Sequence, residues 1–183
     1  MKNIIVRPIE HDDLPEMWAV AFGPSADLKW MELNGPYFND PVWTWPQFEQ
    51  RFSEKFVGVP TAAVVCLDDR PIGMLSGYFE DGALGKWLEA GIVIYDATLW
   101  GQGIGTEVFR PWLEHLLTVY PELPHVGFTT WSGNLGMMRL GERSGMQLGE
   151  RSGMQLEGRI RKVRYWQGEY YDSIKYGLLR TEI

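Results

Sequence analysis

The stretch "YDATLWGQGIGTEVF" (Tyr95–Phe109) places three alternating glycines between a predicted strand, Trp87 to Tyr95, and a helix predicted to begin near Thr106. A loop of this composition lets backbone N–H groups converge, because glycine has no side chain to obstruct them. The helix N-terminus adds partial positive charge at the same point. The stretch therefore predicts a cradle for a phosphate or diphosphate, with a tight strand–helix turn that binds nothing as the alternative.

Two common nucleotide-binding motifs do not fit this loop. The segment "GQGIGTE" (Gly101–Glu107) lacks the adjacent Lys and Ser/Thr of a Walker loop. A Rossmann site would open a βαβ unit and place an acidic residue about 20 positions further on. The chain there reads "LPHVGF" (Leu123–Phe128), which contains no acid. Both classes of site are therefore disfavoured.

Composition limits the size of the protein and its partners. The chain has 183 residues, 45% of them hydrophobic, which is enough for one sizeable core and predicts a single domain over residues 1–183. A net charge of −7 argues against nucleic acid as a partner and is compatible with a cationic acceptor, although acidity also serves solubility. No apolar run approaches the length of a membrane span and no signal peptide is evident, so we expect a cytoplasmic protein that does not insert into a membrane.

Cysteine and histidine usage predicts neither a disulfide framework nor a metal site. Cys66 is the sole cysteine and lies in an apolar run, which is typical of a buried thiol. The three histidines, His11, His115 and His125, have no metal-ligand spacing between them.

The order of predicted elements indicates an α+β fold with a mostly antiparallel central sheet covered by helices. In chain order the elements are a strand within Asn3–Glu10, a helix capped by Asp12 or Asp13, a helix over Pro46–Phe56, a hairpin turning at Asp68–Pro71, the strand and helix around the glycine loop, a strand at "HVGFTTWSG", a helix opened by Asn134, and a closing hairpin turning at Gln167–Gly168.

The glycine loop also resembles a known family. Trp100–Gly105 resembles the acetyl-CoA loop R/Q-x-x-G-x-G/A of the GNAT acetyltransferases, with Trp100 at the Arg/Gln position, as in the branch of ribosomal-protein alanine N-acetyltransferases. "NLGMMRLGERSGM" (Asn134–Met146) is similar to the family's late helix, and Gly158–Leu179 to the branch's final hairpin. The resemblance spans roughly Arg7 to Leu179. It implies a three-layer fold whose sheet splays into a V, with acetyl-CoA in the cleft and the acceptor entering from the other side.

The resemblance assigns a set of residues to acetyl-CoA. Asn134 matches a family asparagine that bonds the pantetheine arm, and a helix N-cap is its alternative role. Arg139 and Arg143 would hold the CoA phosphates or remain solvated. The implied cofactor-binding residues are Val93, Ile94, Tyr95, Trp100, Gly101, Gln102, Gly103, Ile104, Gly105, Thr106, Asn134 and Arg139.

The reaction implied is direct attack of a primary amine on the thioester in a ternary complex. The amine must lose a proton and the sulfur must gain one, while a backbone N–H at Ile94 or Tyr95 would stabilise the oxyanion. Glu89 matches a family acid and is the candidate base, directly or through water; ordering a loop or pairing with a cation is its alternative. The family's usual tyrosine acid is replaced by Gly141, which leaves Tyr95 or solvent for that role. A non-catalytic acyl-CoA-binding module therefore stays open.

The acceptor side is less well defined. The segment Trp30–Trp45 is rich in aromatic residues, and Trp30, Tyr37 and Trp43 are candidate acceptor-binding residues, with core packing as the alternative. A protein N-terminus, a polyamine, an aminoglycoside-like drug or another amine remain possible acceptors. The acidic balance favours a small cationic one.

The late helix carries a perfect repeat. Gly141–Leu148 and Gly149–Leu156 are the same eight residues, "GERSGMQL". The family pattern needs one copy, so the second is interpreted as an insertion between the late helix and the next strand. We expect the cleft to survive the insertion and the acceptor side or the oligomeric state to change, including a domain-swapped homodimer.

Overall fold

The computed structural model describes residues 3–143 and 154–183. Within these ranges seven strands form one sheet in the order β1-β2-β3-β4-β5-β7-β6. The strands are β1 Ile4–Pro8, β2 Ala62–Leu67, β3 Arg70–Phe79, β4 Leu88–Ile94, β5 His125–Trp131, β6 Gln155–Trp166 and β7 Glu169–Leu179.

Helices cover both faces of this sheet, as the α+β prediction requires. The helices are α1 Leu14–Phe22, α2 Trp45–Lys55, α3 Ile104–Val119 and α4 Leu135–Arg143. Residues of α1 and α2 share one buried cluster with one face of the sheet, and α3 shares a second cluster with the other face, against which α4 also packs. In the described residues no helix is long and apolar enough to cross a membrane.

The sheet is divided in its middle. Every neighbouring pair of strands is antiparallel except β4 and β5, which are parallel and pair only at Glu89 and Gly127. Beyond this point β4 and β5 run on without further pairing, which gives the V that the family resemblance implied.

The local predictions hold at the turns and at the position of the α1 cap. The β2–β3 hairpin turns at Asp68 and Asp69 and the β6–β7 hairpin at Gln167 and Gly168, all with positive φ, as tight hairpin turns require. Asp13 is the N-cap residue of α1, as predicted, but its side chain makes no capping bond to the helix. Its carboxylate instead accepts the Glu10 N–H at 2.9 Å and pairs with Arg7. The residue therefore joins α1 to β1.

The repeat straddles the junction between α4 and β6. The first copy supplies Gly141–Arg143 at the end of α4, and the second supplies the buried Met154 followed by Gln155 and Leu156 at the start of β6. The rest of both copies, positions 144–153, lies outside the described residues.

Candidate active site

A cavity of about 1200 Å³ occupies the split between β4 and β5. We call its two ends the loop end, formed by the glycine loop and α4, and the aromatic end, formed by residues 30–43 and α2. All but two of the predicted site residues line it. The exceptions are Gln102, whose side-chain amide donates to the Thr98 carbonyl at 2.6 Å, and Glu89.

Local contacts hold the glycine loop in shape. The Asp96 carboxylate accepts the Thr98 N–H at 2.8 Å, which fixes the turn after β4. The Trp100 indole N–H donates to the Ile94 carbonyl at 2.8 Å and ties the loop back to the strand. This bond gives a reason for tryptophan at a position where the general family pattern has Arg or Gln.

Gly103 is the residue at which the loop becomes a helix. Its φ of +87° is strained for any residue with a Cβ, and an added Cβ would meet nothing within 4 Å. Backbone conformation, not crowding, therefore requires glycine here. α3 begins at Ile104, and its first-turn N–H groups have no intrahelical partner. The loop end thus combines open space, free donors and the positive end of a 16-residue helix.

The strand register decides which β4 amides face the split. The Tyr95 N–H donates to the Ile72 carbonyl at 2.9 Å, so it points toward β3. Amides alternate in direction along an antiparallel ladder, so Ile92 and Ile94 point toward β5, where no partner strand pairs with them. The expectation that the Tyr95 N–H is an oxyanion donor is therefore wrong, because that donor is already used. Ile94 remains, joined by Ile92.

The side chain of Tyr95 packs into the core. It is 3% exposed and lies edge-on to Trp30, with ring centroids 5.2 Å apart. Burial raises the pKa of its phenol, so the group is neutral at ordinary pH. Its use as an acid for the leaving sulfur stays a prediction.

Glu89 lies at the point where β4 and β5 diverge and is 1% exposed. Its carboxylate accepts the Thr129 hydroxyl at 2.8 Å and the Tyr78 hydroxyl at 3.2 Å, and pairs with the Lys175 ammonium at 3.4 Å. The same ammonium sits 4.5 Å from the Trp87 ring centroid. The pairing with a cation, given above as an alternative to the base, is thus present in the structure.

Two hydroxyls connect this buried carboxylate to the cavity. Tyr78 and Thr129 both line the cavity and both donate to Glu89, which does not line it. Burial and then the charge of Glu89 raise the pKa of Tyr78, so the phenol keeps its proton. These two hydroxyls therefore link Glu89 to the cavity by hydrogen bonds. Sequence reasoning missed both, although Tyr78 shares a face of β3 with Ser76 and Met74, which also line the cavity.

α4 explains the absence of the usual tyrosine. A Cβ on Gly141 would lie 2.8 Å from Phe128 and 2.9 Å from Tyr176, so the position is closed by core packing. Gly141 is not a cavity residue, whereas Leu140 and Arg143 on the same helix are. Any proton donor to the leaving sulfur must therefore come from elsewhere.

Asn134 performs the capping role. Its side-chain oxygen accepts the Met137 N–H at 3.0 Å, and its amide donates to the Leu33 carbonyl at 3.2 Å. Trp131 donates its indole N–H to the same carbonyl at 2.9 Å. The cap of α4 is thus tied to the aromatic end, and Asn134 still lines the cavity.

The aromatic end combines core and pocket. Trp30 is 9% exposed and donates to the Ala21 carbonyl, while Trp43 packs against Phe22 and Phe52. Tyr37 lies edge-on to Trp131, with centroids 5.8 Å apart. All three predicted acceptor residues therefore line the cavity while also packing against other rings, and their role in binding an acceptor stays a prediction.

The sequence model of the "Acetyltransferase (GNAT) domain" family matches residues 3–147. The chain belongs to the GNAT acetyltransferase family. No curated protein sequence matches it.

Solved structures share the GNAT fold over nearly the whole chain. A spermidine N-acetyltransferase from Vibrio cholerae, solved with CoA and spermine, is 16% identical with a TM-score of 0.71, over 98% of this chain and 96% of that one. A GNAT acetyltransferase from Bacillus anthracis is 19% identical with a TM-score of 0.69, over 96% and 94% of the two chains. An aminoglycoside acetyltransferase solved with coenzyme A is 16% identical with a TM-score of 0.68, over 98% and 96%.

Proposed function

We propose that this GNAT protein is an acetyl-CoA-dependent N-acetyltransferase, a single domain that transfers an acetyl group to a primary amine by direct attack in a ternary complex. The observation that carries the proposal is the split sheet. Unpaired amides of β4 face the same cavity as the glycine loop and the first turn of α3. Backbone donors and a helix N-terminus suit the amide-rich arm and the diphosphate of CoA.

The residues at the loop end fit that co-substrate. Gly101, Gly103 and Gly105 leave the backbone accessible, and Arg139 and Arg143 line the adjacent wall, where their charge suits phosphate. Acetyl-CoA supplies the acetyl group as an activated thioester. The Ile94 N–H is the proposed donor to the thioester oxygen, because it points into the split beside the loop.

Proton removal is assigned to Glu89 acting through a hydroxyl. In this scheme Tyr78 accepts a proton from the bound ammonium and passes its own to the carboxylate, so the phenol ends neutral. Lys175 stabilises the charged form of Glu89 before transfer. Solvent is the proposed source of the proton for the leaving sulfur, since position 141 is closed to side chains.

The similar structures named for spermidine and aminoglycoside acetylation make small amines a natural first class of acceptor. Two features resemble the branch of ribosomal-protein alanine acetyltransferases, namely Trp100 in the glycine loop and the final hairpin. A protein N-terminus would be the acceptor in that branch. A cytoplasmic location is part of this proposal, because the reaction needs a compartment that contains acetyl-CoA.

A direct assay tests the proposal. Protein and acetyl-CoA are incubated with single amines, including spermidine, an aminoglycoside, amino acids and a peptide with N-terminal alanine, and the released thiol is measured. Amine-dependent thiol release with a matching acetylated product is expected. CoA binding without turnover on any amine would leave the non-catalytic acyl-CoA-binding module as the better description.

The repeat is proposed to be an insertion that the fold tolerates. A variant that lacks eight residues of the repeat has one sequence whichever copy is removed. We expect it to bind CoA as the full chain does, with differences confined to acceptor kinetics or to oligomeric mass, as a swapped homodimer would show. Identical kinetics and mass would show that the insertion is silent.

A further inference from the structure

Arg164 of β6 is a cavity residue that the proposed mechanism does not use. Its guanidinium carbon lies 4.9 Å from the ring centroid of Tyr37 and 5.4 Å from that of Phe38. All three residues line the aromatic end. The cation is thus held against the wall of the acceptor side by two rings, neither of which satisfies an N–H donor.

The hydrogen bonding of this guanidinium is incomplete. Its Nε is buried and has no hydrogen-bond partner in residues 3–143 and 154–183. None of the ion pairs formed in that part of the chain involves Arg164, although Arg159 on the same strand pairs with Asp172 at 2.6 Å. The enclosed Nε cannot be reached by a ligand. The terminal Nη1 and Nη2 nitrogens, which form no hydrogen bond within these residues, are therefore the donors that Arg164 offers to the cavity.

Arg164 differs in burial from the other cations at the aromatic end, and it is not paired with the acids there. Arg51 and Lys55 also line the cavity, and each lies over a ring, 5.0 Å from Trp43 and 5.2 Å from Phe56. Both of these cations are exposed on α2, whereas Arg164 is half-buried. Glu32, Asp40 and Glu80 line the cavity without forming an ion pair to Arg164.

We infer that the acceptor amine also carries a carboxylate, which Arg164 binds, and that its body is apolar to suit the surrounding rings. This inference rests on the proposed function and names its substrate class as amino acids or short peptides with a free carboxylate. Guanidinium matches a carboxylate because its N–H donors lie in one plane and bond two oxygens at once. The proposed acceptor is therefore zwitterionic, in place of the small cationic acceptor that the net charge of the chain favours.

The test uses acceptors that share a side chain and a primary amine and differ at the carboxyl group, compared at equal concentrations of the unprotonated amine. L-phenylalanine, L-methionine and L-alanine are each compared with their amides and with the corresponding decarboxylated amines, and kcat/KM is measured at saturating acetyl-CoA. We expect the full chain to favour each acid over its neutral partners by about 10- to 100-fold, the range for a charged hydrogen bond. Arg164→Gln is expected to remove this preference, so that kcat/KM for each acid falls to that of its neutral partners.

Two variants serve as controls. Arg161→Gln removes the same charge from an exposed position of β6 that does not line the cavity, and the preference should be unchanged. Arg164→Lys keeps the charge without the planar fork and should keep only part of the preference. Circular dichroism and thermal unfolding establish that each variant is folded.

The inference is overturned if the full chain acetylates the neutral amines as well as the acids. It is also overturned if Arg164→Gln lowers all acceptors in parallel or raises the KM for acetyl-CoA instead. If no amine is acetylated, the proposed function fails separately, and calorimetric titration decides the inference. The inference is supported if the full chain binds N-acetyl-L-phenylalanine more tightly than N-acetylphenethylamine and Arg164→Gln loses this difference. Equal binding of the two compounds by the full chain overturns it.

Discussion

Replacement of Gly103 by aspartate tests the loop end most directly. Gly103 has a φ of +87° with open space beside it, so the new side chain fits without a steric clash. The backbone strain of a Cβ in this conformation costs about 1 kcal/mol, part of which the negative charge recovers at the N-terminus of α3. Thermal unfolding should therefore shift by no more than about 2–4 °C for a chain of this size.

CoA affinity should fall much further than stability. A carboxylate about 5 Å from the diphosphate, at an effective dielectric constant of about 20, repels each unit of charge by about 3 kcal/mol. Allowing for solvent screening, about 2–3 kcal/mol is lost, which is about 30- to 150-fold in Kd. Isothermal titration with CoA measures this change, and pantetheine, which lacks the diphosphate, should lose far less.

Matched variants separate the causes. Gly103→Ala keeps the strain without the charge and should weaken CoA by less than about threefold. Gly168→Asp adds the same charge at a φ of +86°, also with no neighbour within 4 Å, at the β6–β7 turn; it should leave CoA affinity unchanged. Wild-type affinity in a folded Gly103→Asp protein, or an equal loss in Gly168→Asp, would refute the assignment of this loop to the diphosphate.

Four further changes probe other parts of the molecule. Glu89→Gln should lower the free energy of unfolding by about 1–3 kcal/mol in urea titrations, because Lys175 loses its carboxylate. The same change should lower kcat more than tenfold, and an unchanged kcat would exclude the base role. Trp100→Phe removes the bond to the Ile94 carbonyl, and calorimetry should show CoA affinity about 3- to 10-fold weaker. Gly141→Ala places a methyl group against two rings and should lower the melting temperature, since overpacking of about 1–3 kcal/mol exceeds the gain in helix propensity of up to about 1 kcal/mol; a raised melting temperature would contradict that packing. Burial acts to raise the pKa of Asp13, but the bonds from Arg7 and the Glu10 N–H outweigh it and hold the pKa low. The stability that Asp13 contributes is therefore full above its unfolded pKa of about 3.9 and is lost as the pH falls through the lower folded pKa. Acid unfolding of Asp13→Asn should show a weaker dependence on pH in that range.

Features that depend on adjacent residues were predictable from the sequence. The strand β4, the glycine loop and α3 follow one another along the chain, and the need for glycine at Gly103 is a property of its own backbone angle. The V-shaped split followed from the family resemblance, because no local pattern in β4 indicates that β5 leaves it after one pair.

Contacts between distant residues were not predictable in the same way. Glu89 pairs with Lys175 and Thr129, which lie 86 and 40 positions away, so its burial in an ion pair appears only once β4, β5 and β7 are assembled. Gly141 is a second position whose role depends on residues that are distant in the sequence. The sequence indicated a missing tyrosine, and only the packing of Phe128 and Tyr176 shows why no side chain fits there.

The single pair between β4 and β5 has a mechanical consequence. In the described residues, strands β1–β4 and strands β5–β7 share a single backbone pair, Glu89 and Gly127. The side-chain bonds of Thr129 and Lys175 to Glu89 cross the split at the same level. A substrate arm that bonds to the backbone amides of Ile92 and Ile94 would add hydrogen bonds along the open side of β4, as a further strand would. Loading the enzyme would then also stiffen it, and slowed amide hydrogen exchange along β4 and β5 would report occupancy of the cleft without any reference to turnover.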